Sequence, residues 1–254
     1  MHELGQLLKR YFSLHEDSAT HEVIHARILS GGQVTGTNLC VLICAIVIAS
    51  VGLNTGSTAV IIGAMLISPL MGSLLALAYG TVSANKAQFE RSAVGFVFQI
   101  LVSLTVSVVY FALSPVNAPS AELLARTRPT VFDVIVAIAG GFAGIIGNTR
   151  HDKANNVIPG VAIATALMPP LCTCGYSIAH GQWRMLFGAA YLFTVNCYFI
   201  YLSAAVILSL LSIPKEQDLN EKQWRRLRRK MIRNTVLVAL PSLFLTFAML
   251  HDGV

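Results

Sequence analysis

Two apolar stretches, each broken by proline at its centre, constrain this chain more than anything else in its sequence. "IGAMLISPLMGSLLALAYG" runs from Ile62 to Gly80 and holds Ser68-Pro69 in its middle. "IATALMPPLCTCGYSIAHG" runs from Ile163 to Gly181 and holds Pro169-Pro170 at the corresponding place. About 20 apolar residues are what an α-helix needs to cross the hydrocarbon of a bilayer. A proline inside such a helix removes an N–H and disturbs the preceding turn. In hydrocarbon the freed backbone carbonyls must find partners, so breaks are tolerated where they face protein or a wet cavity. Both stretches therefore read as spans whose interruptions turn inward.

Charge agrees. Only 12% of the 254 residues are charged, against roughly 25% in soluble domains, which places the chain in the membrane class. The net charge of +6 does not point to nucleic acid, because the cations lie between spans rather than on one basic surface. Cys40, Cys44, Cys172, Cys174 and Cys197 all fall inside apolar segments and read as small hydrophobes. Cys172 and Cys174 lack a structural-zinc spacing and a histidine pair, so no metal and no cofactor are expected.

The expected fold is an all-α integral membrane protein with about seven transmembrane helices. The spans are Thr37–Leu53, Ser57–Ser83, Ser92–Ser114, Val131–Asn148, Val157–Ala179, Met185–Ile213 and Thr235–Leu250. Residues 1–36 form a cytoplasmic amphipathic segment whose stripe is Leu4, Leu7, Leu8, Tyr11 and Phe12. The charged start precedes the first apolar run, so that run is expected to stay as a helix rather than act as a cleaved leader. With the N-terminus cytoplasmic, 15 of the 18 lysines and arginines fall in inside segments and 3 outside, as the positive-inside rule requires. Residues 215–233 read as a basic interfacial segment on anionic headgroups, with Trp224, Arg225, Arg228 and Arg229 at the surface. Residues 234–254 would be a C-terminal transmembrane helix.

The two broken spans also resemble each other. At an offset of 101, Asn54 meets Asn155, Pro69 meets Pro170, Leu70 meets Leu171, and Ala78 and Gly80 meet Ala179 and Gly181. That period contains three spans, so the second copy (131–213) is inverted relative to the first (37–114). Inverted repeats with matched helix breaks are the sequence pointer to a transporter-type site near the midplane. The substrate-binding candidates are Asn54, Ser68, Pro69, Asn155, Thr165, Pro169, Pro170 and Asn196, with Asn148, Asn156, Thr173 and Gln99 as further neutral polar residues. Neutral amides and hydroxyls suit a small polar solute or anion better than a divalent cation, which wants carboxylates. Gly140, Gly144 and Gly147 read as a helix-packing face, within the chain or in a homo-oligomer. Asp133 reads as a first-turn acid at a helix N-terminus.

"GAMLISPLMGSLLALAYG", "ARTRPTVFDVIVAIAGGFAG" and "PGVAIATALMPPL" together resemble a bacterial hydrophobic-domain family, domain of unknown function 389, over about residues 26–214. The family pattern commonly has Ala-Pro where this chain has Ser68-Pro69, and proline where it has Ser73. The resemblance implies a multi-pass protein of the bacterial inner membrane and supplies no catalytic residue and no substrate. The sequence holds no metalloprotease, nucleophile-elbow or phosphate-loop motif, so no enzyme is expected. The expected function is a transporter or channel for a small polar or anionic solute bound at the two broken helices. The alternative is a non-transporting membrane scaffold or sensor subunit.

Overall fold

The computed structural model describes residues 18–150 and 167–215, with the single helical positions 229, 233 and 240 beyond them. The described residues are helical apart from turns and one isolated bridge between Ser18 and Arg150. In chain order the helices are α1 (His21–Gly32), α2 (Gly36–Thr55), α3 (Thr58–Ile67), α4 (Leu70–Val82), α5 (Lys86–Leu113), α6 (Ala121–Ala125), α7 (Val131–Thr149), α8 (Met168–Ala179) and α9 (Trp183–Leu210).

Four of these, α2, α5, α7 and α9, are long and apolar enough to cross a membrane. The pair α3 and α4 counts as a fifth span bent by 47° at its break. The break falls at Ser68-Pro69, where the sequence places it, and Ser68 turns extended while its N–H returns to the Met65 carbonyl. Of the expected Val157–Ala179 span, the described part is α8, which starts at Met168 with prolines in its first turn. Proline suits that place because the N–H it lacks would have no helical partner there. The amphipathic stripe at residues 4–12 and the span at 235–250 lie outside the described residues, apart from Leu240.

α5 explains why these helices suit a bilayer. Its buried face is Ser92, Phe96, Gln99, Ser103, Ser107 and Phe111, spaced three or four residues apart as one helical face requires. Its outward residues include Val94, Val97, Phe98, Leu101 and Val109. Polar groups inside and apolar groups outside reverse the soluble pattern. They fit a helix whose outer surface meets lipid and whose interior must satisfy its own polar groups.

Helix ends carry conventional signals. The Thr35 side chain caps α2 and Asn85 caps α5, each accepting from the N–H three residues on. Gly56 ends α2 in the left-handed conformation. Asp133 accepts from the Thr130 N–H at 2.7 Å and from its hydroxyl at 2.9 Å, so it closes the start of α7 as the sequence predicts.

α1 lies within the segment 1–36 that the sequence reads as amphipathic, and α6 lies in a connection between spans. α1 packs along α4, burying Ile24 and Ile28, and its Gly31 lies so close to Gly72 that a Cβ on Gly72 would collide with the Gly31 carbonyl. The segment carrying α6 lies over the opposite end of the bundle. There Ser120 donates to the Leu53 carbonyl and Tyr176 to the Asn117 carbonyl. Thr58 donates to Glu122 at 2.7 Å, and Glu122 also holds Arg126 at 3.5 Å.

Candidate functional site

The Ser68-Pro69 break and the proline-led start of α8 are brought together along α5. α4 doubles back on α5 through a tight turn, with Gly80 against the backbone of Phe89. Further from that turn, Ser73 donates to the Gln99 side chain at 2.9 Å. α4 therefore runs antiparallel to α5. α8 runs parallel to it: the Ser107 hydroxyl donates to the Cys172 carbonyl at 3.0 Å, and Tyr176 meets Phe111 edge-on at 5.2 Å. A turn further, His180 reaches Asn117 at 3.3 Å. So α4 and α8 leave the middle of α5 in opposite directions, each with its N-terminus there. Counting back from Ser73 and Cys172 at about 1.5 Å per residue puts both N-termini near the level of Ser103.

Ser103 is fully buried, and its hydroxyl has no hydrogen-bond partner among the described residues. Ser50 of α2 is also fully buried and lies against the Cys172 thiol. A buried hydroxyl without a partner forgoes about 1–3 kcal/mol. Helix N-termini carry about half a positive charge each. The prolines at the start of α8 remove N–H donors, so at that side the field and the neighbouring hydroxyls remain rather than a full ring of amides.

The sequence-predicted residues divide three ways. Ser68 and Pro69 form the α3–α4 break, and Pro169 and Pro170 lie in the first turn of α8. Pro169 and Pro170 are buried and Ser68 and Pro69 are half-buried, with the Ser68 hydroxyl accepting from the Leu70 N–H at 3.4 Å. Met65 and Leu70 flank the break and Leu167, Met168 and Leu171 the start of α8, and all five belong to one buried apolar cluster. Asn196 is buried at the centre of α9. Asn54 lies at the far end of α2, where it donates to Ser114 at 2.6 Å, away from the breaks. Asn155, Thr165, Trp224, Arg225 and Arg228 lie outside the described residues, and Arg229 is an exposed helical position. Gly140, Gly144 and Gly147 are buried in α7. The neighbouring Gly141 makes the tightest contact recorded there, since a Cβ on it would collide with Ser203 of α9. Serines at Ser50, Ser103 and Ser107 were not among the expected site residues; the signal was the spacing of Ser92, Gln99, Ser103 and Ser107 on one face of a long apolar helix.

No group of His, Cys, Asp or Glu among the described residues could hold a metal ion. His180 stacks on Tyr176 at the far end of α8, remote from Ser68.

These features define a helical membrane protein in which the bent α3–α4 pair and the proline-led start of α8 meet in the interior. The sequence profile of the family described as "Domain of unknown function (DUF389)" matches residues 65–202, and the chain belongs to that family. The match is narrower than the 26–214 resemblance and covers both Ser68-Pro69 and Pro169-Pro170. The chain is 28% identical over 176 residues to "Uncharacterized protein MJ0678" of Methanocaldococcus jannaschii, covering 69% of this chain. It spans about half, 54%, of that archaeal relative's length. No solved structure matches.

Proposed function

We propose that this protein is a transporter or channel for a small polar or anionic solute, which sits between the N-termini of α4 and α8 beside Ser103. The observation that carries this is that α4 and α8 leave the middle of α5 in opposite directions, with the buried Ser103 hydroxyl, partnerless among the described residues, at that level. Discontinuous helices whose N-termini face each other are how transporter folds hold anionic groups without a buried cation. On this reading the protein is not an enzyme: among the described residues Ser68 has no base beside it.

The arrangement of the helices supports two inverted repeats. α5 and α9 each have 28 residues, α4 has 13 and α8 has 12. Left-handed residues stand at matching places in the two turns, Ala84 before α5 and Gly181 before α9. α4 packs on both α5 and α9, and α8 on both α9 and α5, the exchange an internal two-fold produces. Phe96 and Phe193, 97 apart, stack on each other at 6.4 Å, as equivalent residues do on such an axis. In that register Gln99 corresponds to Asn196, and both are buried. The offset is thus 97 rather than the 101 that the proline identities suggest, a shift of about one helical turn.

On this reading the seven spans, the interfacial segment 215–233 and the terminal helix stand as the sequence suggests. Lys86, Arg91, Arg150 and Lys215 share the cytoplasmic face, and Arg126 and Arg184 the other, in keeping with the positive-inside rule. A bacterial inner-membrane location and a homo-oligomer are part of the same proposal.

The test is thermal stabilisation of the purified protein by a panel of inorganic anions and small polar metabolites, followed by uptake of any hit into proteoliposomes. A ligand at one hundred times its Kd stabilises by about 2.7 kcal/mol. Ser103→Ala should remove most of the stabilisation and the uptake while leaving the unliganded melting temperature within a few degrees. A hit that binds Ser103→Ala and Ser103→Leu as well as the wild type would refute the site. Binding without uptake would favour the scaffold or sensor reading, which the dense packing of α8, with Gly175 against Ser107, also suits.

A further inference from the structure

We propose that the cleft between the α1–α2 turn and the first turns of α5 holds an anionic phospholipid, with Arg91 on its phosphate and the outer face of α5 beneath an acyl chain. The cleft measures about 440 Å³ and is lined by Leu29, Gln33 and Thr35 on one side and by Gln88, Arg91, Val94 and Phe98 on the other. It lies outside the α4–α8 junction and serves no part of the proposed transport site.

Three observations select the occupant. Arg91 is exposed, and among the described residues it has no ion-pair or hydrogen-bond partner. The adjacent Glu90 is engaged by Lys86 at 3.4 Å, so the guanidinium is the uncompensated charge at the rim. Guanidinium pairs with phosphate through parallel N–H donors. Second, the wall below Arg91 is apolar and outward-facing: Val94 is 71% exposed and Phe98 46%. Val97 and Leu101, at 54% and 57%, continue that surface along α5 into the hydrocarbon. A free phosphate has no use for such a wall, whereas a chain attached to the phosphate does. Third, the floor is closed. Val34 packs so near Gly95 that a Cβ there would lie 2.9 Å from it, so a headgroup rests at the rim instead of passing inward. Gln88 has donated its amide to Ser92 at 2.9 Å and keeps a second N–H for the phosphate.

The experiment uses the full chain, purified and delipidated in detergent. It is titrated with short-chain phosphatidylglycerol, with phosphatidylcholine of the same chain length and with inorganic phosphate, and adducts are counted by native mass spectrometry. Saturable phosphatidylglycerol binding is expected, weakened about tenfold in Arg91→Gln and largely kept in Arg91→Lys. Val94→Trp, which narrows the apolar wall and leaves the charge alone, should also weaken it. Phosphatidylcholine should bind more weakly, and millimolar phosphate should not displace the lipid. Equal phosphatidylglycerol binding by wild type, Arg91→Gln and Val94→Trp would overturn the proposal, and so would displacement by inorganic phosphate. Arg91 is exposed, so Arg91→Gln should elute as the wild type does, and Val94→Trp tests the apolar surface below it independently.

Discussion

The starts of α4 and α8 do the same structural job with different chemistry. α4 begins after a single proline, half-buried, with the Ser68 hydroxyl accepting from the Leu70 N–H. α8 begins with two prolines, both buried, and its Thr173 hydroxyl donates back to the Pro169 carbonyl at 2.8 Å. Their tightest contacts differ too. Gly72 of α4 meets the backbone of α1, a helix at the edge of the bundle, whereas Gly175 of α8 meets Ser107 of α5, which runs through its middle. The second start is held by rigid rings and a central helix, the first by a hydroxyl and a peripheral helix. If one of the two starts yields during a functional cycle, the first is the one built to do so.

Enlarging the two glycines separates these cases most sharply. Gly175→Leu would push a branched side chain into α5, which has no room to retreat. It should destabilise by about 3 kcal/mol or more, read as loss of the monodisperse folded species. Gly72→Leu should cost about 1–3 kcal/mol, because α1 can swing outward, and proteolysis should then become faster within residues 18–35. Equal losses at both sites would mean that α1 is as firmly held as α5, and would end the contrast.

The buried amide comes next in size. Gln99→Leu removes the 2.9 Å partner of the Ser73 hydroxyl and leaves it the longer 3.5 Å approach to the Gly32 carbonyl, a loss of about 1–3 kcal/mol in thermal or denaturant unfolding. Ser73→Ala made together with Gln99→Leu should recover much of that, since removing both partners is far cheaper than stranding one. No recovery in the double variant would show that Gln99 has another principal partner.

What the sequence made legible follows from this physics. Long uncharged helices announce themselves, so α2, α5, α7 and α9 fall within a few residues of their expected spans, though α5 starts earlier because Asn85 caps it before the apolar run begins. The break at Ser68-Pro69 was legible because proline acts locally. Where α1 packs was not: the helix has only Ile24 and Ile28 to bury, and its place depends on Gly31 meeting Gly72, which no local pattern reveals. Serines at the junction were overlooked because a serine in an apolar helix usually satisfies itself on the preceding turn, as Ser203 does at 2.8 Å. Only the folded chain distinguishes Ser50 and Ser103, which do not.

The smallest expected effect tests whether polar residues at the bundle's end belong to the site or only tie helices together. Asn54 donates to Ser114 at 2.6 Å and leaves its carbonyl oxygen buried without a partner. It therefore gives one hydrogen bond between α2 and the segment after α5 while leaving an acceptor unmet, and the two terms oppose each other. Interhelical hydrogen bonds in membrane proteins average about 0.6 kcal/mol, so Asn54→Ala should lower stability by that much or less. Ligand stabilisation at the α4–α8 junction should be unchanged, because Asn54 lies at the far end of α2. A loss of ligand response in Asn54→Ala, with the fold intact, would move the site from the opposed helix starts to the end of the bundle and undo the contrast between them as its cause.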